Sequence, residues 1–339
     1  MKPNGISREQ WFRYNLYFFV EHFLGLKNFN KHFGKGRKEL YDEIDSKLKD
    51  SNRGKILDIP LVYGEISQSD MKAHLKNTNE PVIFKSVAKD WPCCKKWSFD
   101  FFAENFGDEQ IAIIDNVGVT DRNKPQEYEI TTYAKYVSEL KKGSTKYLKF
   151  SRIMDEAYTL RKDFDLAFLK RFHLPTTFGQ QFFMFMGNTE SMTPVHCGFA
   201  NTVFIQVTGK KKWILWAPNE RIFFDPRAER RSYNFSHVDP YVTNDPNFPL
   251  YKYARRYEVI LEPGDILFFP SHLWHQVENV EGGVSVAYKI VHLPTNFRSS
   301  FILTTLAFLA TRPNMLLDVF YHRFKKSDYL FTRSQKEIK

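Results

Sequence analysis

Two histidines occupy the stretches of this 339-residue sequence whose residue types could do chemistry. His196 lies in TPVHCGFANTVFIQVTGKKKWILWAP, residues 193–218, and His275 lies 79 positions later in PGDILFFPSHLWHQVEN, residues 263–279. Imidazole is a common ligand of iron and other first-row metals, and two imidazoles with one carboxylate form the facial donor set of non-haem Fe(II) sites. A lone histidine among the ten present is more often a surface or satisfied core residue than a ligand. The surroundings of these two change that balance. No competing pattern survives a scan: there is no phosphate-binding GxxxxGK, no GxSxG nucleophile turn, no HExxH and no Cys-x-x-Cys pair.

Such residues need strands to position them. QQFFMFMG, NTVFIQVTG, KKWILWAP, YEVILEPGDILFFP and GGVSVAYKIV are short, rich in aromatic or β-branched residues and separated by turn residues, which predicts a barrel or sandwich. In EPGD, Pro263 and Gly264 fit the central positions of a type II turn. Upstream, from ILDIPLVYGEIS to about residue 150, apolar segments (PVIFKSV, IAIIDNV, KYLKF) alternate with helical ones (SFDFFAENFG, TTYAKYVSELKKG), an α+β entry to the sheet. Residues 7–26 read as a helix with a Ser7/Gln10 capping box and with Phe12, Leu16, Phe19 and Phe23 on one face, which is expected to lie on the main core. A basic segment to about residue 55 connects it to the body. The irregular stretch NFSHVDPYVTNDPNFPLYKYA is long enough to suggest a functional loop. Helix returns from about residue 297, broken near Pro313. The expected organisation is an N-terminal helical extension over 1–55, a mainly β domain over 56–295 with its core at about 180–292, and C-terminal helices over 296–339.

Composition limits the class. Hydrophobic residues make up 42%, charged residues 26% and aromatic residues 17%, a balance that excludes disorder. The three cysteines, 93, 94 and 197, form no disulfide framework, so a reducing, cytoplasmic setting is expected and the sequon at Asn234 is discounted. Neither the N-terminal stretch nor SFILTTLAFLA supports a membrane span. The net charge of +10 comes from scattered clusters at 34–38, 209–212 and 227–231 that match no nucleic-acid motif and read as solvated turns.

Thr-Pro-x-His (193–196), Gly-x-Lys-x-Trp (209–213), Pro-Gly-Asp (263–265) and Trp-His-x-Val (274–277) occur in that order. Over residues 180–292, and more weakly back to about 57, the chain resembles the JmjC and cupin-like Fe(II)- and 2-oxoglutarate-dependent oxygenases. The resemblance implies a double-stranded β-helix, or jelly-roll, with iron held by His196 and His275. It also implies that 2-oxoglutarate is bound by Lys211, Thr193, Tyr147 and Thr202. A dianionic acid in an aromatic barrel needs a fixed cation and hydroxyl donors, which agrees with that set. His272 falls at a variable place in the family's turn and is expected at the rim, where it can touch substrate. Relatives of this kind modify proteins, peptides, nucleic acids and small molecules, and some dimerise through C-terminal helices. Here a peptide, protein or small-molecule substrate is expected, with a homodimer through the C-terminal helices as a further expectation.

The chain departs from the pattern at Gly198, where the family writes His-x-Asp or His-x-Glu. Residues i and i+2 of a strand share a face, so 196 and 198 both face the metal while Cys197 points away as a small buried residue. A second departure is Lys289 in SVAYKIV, where related strands often carry Asn. Three readings follow. In halogenases of other branches the missing carboxylate leaves room for chloride, which is transferred in place of hydroxyl; Gly198 and Lys289 would serve as opening and rim. A hydroxylase would complete the site with water or with a distant acid such as Asp225, Asp239 or Glu190. A silent barrel would only bind a peptide or small acid. The retention of both histidines, Lys211 and Thr193 favours an active enzyme.

Overall fold

The computed structural model describes residues 2–64, 66–77, 79–115, 128–228 and 233–310. Among these, fifteen strands form two sheets. In chain order they are β1 Ile56–Leu57, β2 Leu61–Tyr63, β3 Val82–Lys85, β4 Gln110–Ile114, β5 Tyr128–Thr132, β6 Tyr147–Ser151, β7 Phe178–Gly187 and β8 Met192–Gly198. Then follow β9 Asn201–Gln206, β10 Lys211–Trp216, β11 Tyr233–Phe235, β12 Arg256–Leu261, β13 Ile266–Phe269, β14 Trp274–Asn279 and β15 Gly283–Val291. One sheet has the order β1-β12-β10-β14-β8-β11 and the other β2-β3-β13-β9-β15-β7-β6-β4-β5. From β7 to β10, and again from β12 to β15, successive strands fall in opposite sheets. That alternation is the jelly-roll expected from the sequence.

The barrel strands read as continuous apolar runs because both faces are covered. On β10, Trp213 and Leu215 pack inward with Tyr147, Phe185 and Phe204. Ile214 and Trp216 face the other way, against Tyr14, Phe18, Leu40 and Ile44 of the N-terminal helices. On the second sheet Val203, Ile205, Val284 and Val286 pack outward on the α+β entry region with Phe84, Phe102 and Tyr136. The EPGD turn forms as expected: the Asp265 amide donates to Glu262 at 2.9 Å, and Gly264 has φ +90° with Lys89 backbone 2.8 Å from where a Cβ would stand.

Two expectations change at the N-terminus. The basic segment after residue 25 is not a connector but a second helix: α1 spans Arg8–Leu24 and α2 spans Leu26–Leu48. Gly25, with φ +74°, separates them, and Phe29, Leu40, Ile44 and Leu48 recur on the buried side of α2. The capping box on α1 is present, but the helix buries Gln10, Tyr14, Phe18 and Glu21. Phe12, Leu16 and Phe23 are 66%, 46% and 45% exposed. The reason is Arg221, buried on the barrel side, whose guanidinium carbon lies 4.8 Å from the Trp11 ring and 5.6 Å from those of Tyr14 and Phe18. A buried cation favours the face whose rings it can reach, here Trp11, Tyr14 and Phe18, over the face of Phe12, Leu16 and Phe23. At the other end, helices Leu293–Ser299 and Phe301–Leu309 follow β15; the break expected near Pro313 lies outside the described residues. No helix among them is long and apolar enough to cross a membrane.

Candidate active site

Hydrogen-bond register orders one wall of the barrel interior. β14 lies between β10 and β8, pairing Lys211 with Asn279, Leu215 with His275, and His275 with His196. β11 then pairs with β8, setting Tyr233 opposite Gly198 and Phe235 opposite His196. Lys211, Thr193, His196 and Gly198 therefore lie at successive levels along one direction. Parity alone would turn Thr193 and His196 to opposite faces, because they are three residues apart. The β8–β14 register shifts by one residue between His275 and Val277. This bulge returns Thr193 to the cavity side.

The cavity is lined by Tyr147, Thr193, His196, Gly198, Thr202, Tyr233, His275 and Lys289 among aromatic walls that include Phe150, Phe185, Phe204, Trp213 and Phe269. The imidazole centroids are 4.1 Å apart. His196 Nδ1 lies 2.7 Å from the Pro194 carbonyl oxygen and His275 Nδ1 lies 2.9 Å from that of Leu273. Those acceptors assign the proton to Nδ1 and leave the Nε2 lone pairs free, the arrangement a metal-binding histidine requires. Burial, then the neighbouring imidazole of His275, holds His196 well below its usual pKa, and burial pushes His275 down to about 4. Both are neutral near pH 7.

At the far level Lys211 is fully enclosed. Its ammonium donates to the Tyr147 hydroxyl at 2.9 Å and to Asn279 Oδ1, and the Asn279 amide is pinned to the Gly187 and Asn188 carbonyls. Burial, reinforced by the charge of Lys149, lowers Lys211 to about 7. Lys149 shares the Tyr147 face of β6, with its ammonium 5.1 Å from that ring, and burial lowers it also to about 7. At the Gly198 level Lys289 turns inward: its ammonium donates to the Tyr233 hydroxyl at 3.0 Å and lies over the rings of Phe150, Phe183 and Tyr233. A Cβ at Gly198 would meet Tyr233 Cε1 at 3.1 Å. The tyrosine ring thus borders the space that a side chain would enter.

Several expectations meet the geometry directly. Cys197 is buried on the opposite side of β8. His272 is not at a rim: it is 2% exposed, with Nε2 3.0 Å from the Thr304 hydroxyl and its ring against Phe199. None of the three proposed distant acids lines the cavity. Asp225 accepts from Tyr41 at 2.6 Å, and Asp239 accepts the Tyr241 amide at 2.9 Å. Tyr233, Lys149 and Asn279 escaped the sequence reading; the alternation Tyr-x-Phe at 233–235 was the one local hint of β11.

The donor set suits a divalent metal at two positions, through His196 and His275, and supplies no third. Among the described residues no group of three His, Cys, Asp or Glu side chains converges. The Trp213 indole N–H, in the cavity wall beside His275 at 5.5 Å between ring centroids, has no acceptor among the described residues. Such a donor suits an oxygen-bearing ligand.

A jelly-roll whose interior holds paired neutral histidines, with lysines at the levels on either side, defines a cupin-type barrel protein. The chain belongs to the cupin-like domain family, whose profile matches residues 68–298, so the resemblance to JmjC and cupin-like proteins is borne out. It is 27% identical over 262 residues to the tRNA wybutosine-synthesizing protein 5 of Danio rerio, covering 70% of this chain and 77% of that one. It is 27% identical over 225 residues to the HSPB1-associated protein 1 of Bos taurus, covering 60% and 46%. It is 22% identical over 224 residues to the lysine-specific demethylase 8 of Xenopus tropicalis, covering 66% and 50%. The alignments thus span about half the length of the last two.

Proposed function

We propose that this chain is an Fe(II)- and 2-oxoglutarate-dependent oxygenase that oxidises a C–H bond of a peptide, protein or small molecule, with hydroxylation as its reaction. The observation that carries the reading is the coincidence of two neutral histidines with free Nε2 atoms in one aromatic cavity and a buried Lys211–Asn279 pair, four residues along β10 from their level, that meets the cavity through Tyr147. His196 and His275 would hold the metal. Lys211 would receive the distal carboxylate. The Tyr147 hydroxyl accepts from Lys211, so its own hydrogen remains to donate to the same carboxylate, with Thr193 as a second donor. Iron with 2-oxoglutarate supplies dioxygen activation and C–H cleavage. The aromatic walls keep water from the reacting end, and the Nδ1 bonds to backbone carbonyls fix the imidazole planes. Relatives named for lysine demethylation and for synthesis of a tRNA base agree with an oxidative family but span too many substrates to choose one. The three free cysteines suit a reducing, cytoplasmic setting.

Halogenation is the second reading, supported by the missing side chain at 198 and the ammonium of Lys289 at that level, with chloride as the anion. A silent binding scaffold is the alternative outside enzymology. The experiment is anaerobic addition of Fe(II) and 2-oxoglutarate to metal-free protein, with and without chloride, following the visible charge-transfer band. Appearance of the band in the native chain and its loss in His275→Ala support the iron reading. A response to chloride redirects it to halogenation, and absence of any band leaves the scaffold.

A further inference from the structure

The cavity has a cation at each end of its histidine wall and no acid to balance either. Lys211 sits at the Asn279 level, four residues from the His275 level along β10, or about 13 Å at strand rise. Lys289 reaches the Tyr233 hydroxyl, and Tyr233 is the register partner of Gly198, two residues beyond His196 on the other side. The histidines lie between. Tyr147, which accepts from Lys211, lines the same cavity as Tyr233 and Lys289, so one ligand in that cavity can meet groups of both ends.

Neither lysine has a carboxylate partner among the described residues, and no Asp or Glu lines the cavity. Buried charge without a counter-charge is costly. Lys211 is met by neutral oxygens alone, those of Tyr147 and Asn279. Lys289 is met by one hydroxyl and three aromatic faces. Lys149 adds a third positive charge on the Tyr147 side. At each end a tyrosine hydroxyl accepts from the lysine and keeps its own hydrogen for another acceptor, so each end offers an ammonium and a phenol to an incoming oxyanion.

We propose that this barrel binds a short dicarboxylate without any metal, one carboxylate at Lys211 and Tyr147 and the other at Lys289 and Tyr233. On the usual two-histidine, one-acid plan a metal ion attracts the second carboxylate. In this chain the Lys289 ammonium takes over that attraction, and the absence of a side chain at Gly198 leaves the Lys289 end without a competing acid. The inference rests on the preceding reading for the Lys211 end, and not on iron.

The test is calorimetric titration of the full chain, stripped of metal on a chelating resin, with 2-oxoglutarate, glutarate and the monoacid pentanoate. Both diacids are expected to bind, and pentanoate at least about tenfold more weakly, since one charge-assisted contact is missing. Lys289→Met and Lys211→Met are each expected to weaken the diacids by about tenfold or more, while Lys212→Met, on the neighbouring outward position, leaves them unchanged. Tyr233→Phe keeps the ring and removes only the hydroxyl, so a several-fold loss there supports the seat even if Lys289→Met does not fold. The proposal is overturned if no diacid binds without metal, if pentanoate binds as tightly, or if a folded Lys289→Met chain binds like the native one. A charge-transfer band with iron but no metal-free binding would sink this inference and spare the enzyme. Metal-free binding without a band would do the reverse.

Discussion

Gly198→Asp puts a carboxylate back at the level of Lys289 and just beyond the histidines, and its consequences can be worked from the geometry. The backbone there is not in the left-handed region, and the added Cβ meets one ring carbon of Tyr233 at 3.1 Å. Crowding of that size costs about 1 kcal/mol of fold stability, offset in part by the new attraction to the Lys289 ammonium. Near-neutral stability is therefore expected. For metal binding, unit charges about 4 Å apart at an effective dielectric of about 20 interact by about 4 kcal/mol. The carboxylate gains about twice that with a divalent ion and gives up at most about 4 kcal/mol with Lys289. The smaller balance, about 4 kcal/mol, discounted for water that reaches the site, still gives about a hundredfold tighter binding. Calorimetric titration with Co(II), an air-stable stand-in for Fe(II), measures it. Unchanged or weaker Co(II) binding in a folded variant would refute the placement of position 198 beside a metal held by His196 and His275.

Two further predictions concern the frame. Glu220 is 1% exposed and accepts from Arg53 at 2.6 and 2.8 Å and from the Arg255 amide at 3.0 Å, joining the segment after α2 to the barrel. Glu220→Gln strands buried guanidinium charge and should cost about 3 kcal/mol; a denaturant midpoint shift equivalent to less than about 1 kcal/mol would contradict the role. Burial lowers His272 to about 3, so the unfolded chain binds that proton first as pH falls. The stability this group contributes is complete above its unfolded pKa of about 6.5 and declines towards pH 3, by about 2 kcal/mol at pH 5. His272→Asn, which tolerates the native φ of +61°, should reduce the loss between pH 7 and pH 5 by that amount in urea unfolding, and an unaltered loss would be the contrary result.

The residues legible without coordinates were those bound to short, contiguous spacings. His196, Lys211 and His275 stand in strand segments whose turns, Gly209 and Pro263-Gly264, set the register locally. The type II turn and the barrel strands were readable for the same reason: hydrophobic runs and turn chemistry are properties of neighbouring residues. The face of α1 was not readable, because the partner that selects it, Arg221, is some 200 residues away and acts through ring stacking rather than apolar area. His272 was expected at the rim because it falls at a variable place in the family's turn, yet the helix Phe301–Leu309 closes over it through Thr304.

The sequence by itself therefore determined a β barrel or sandwich and the absence of an acid at 198, which are written in local pattern, and its ordered motifs carried the resemblance that implied the jelly-roll, the paired histidines and Lys211. Tertiary structure alone decided what that absence means. A one-residue bulge in β8 turns Thr193 to the cavity. The three-residue strand β11, 35 residues beyond Gly198, brings Tyr233 against it. The pairing of β15 with β9 and β7 then aims Lys289 at Tyr233. Those contacts depend on register between distant strands, which packing of the whole barrel sets and no short stretch of sequence encodes.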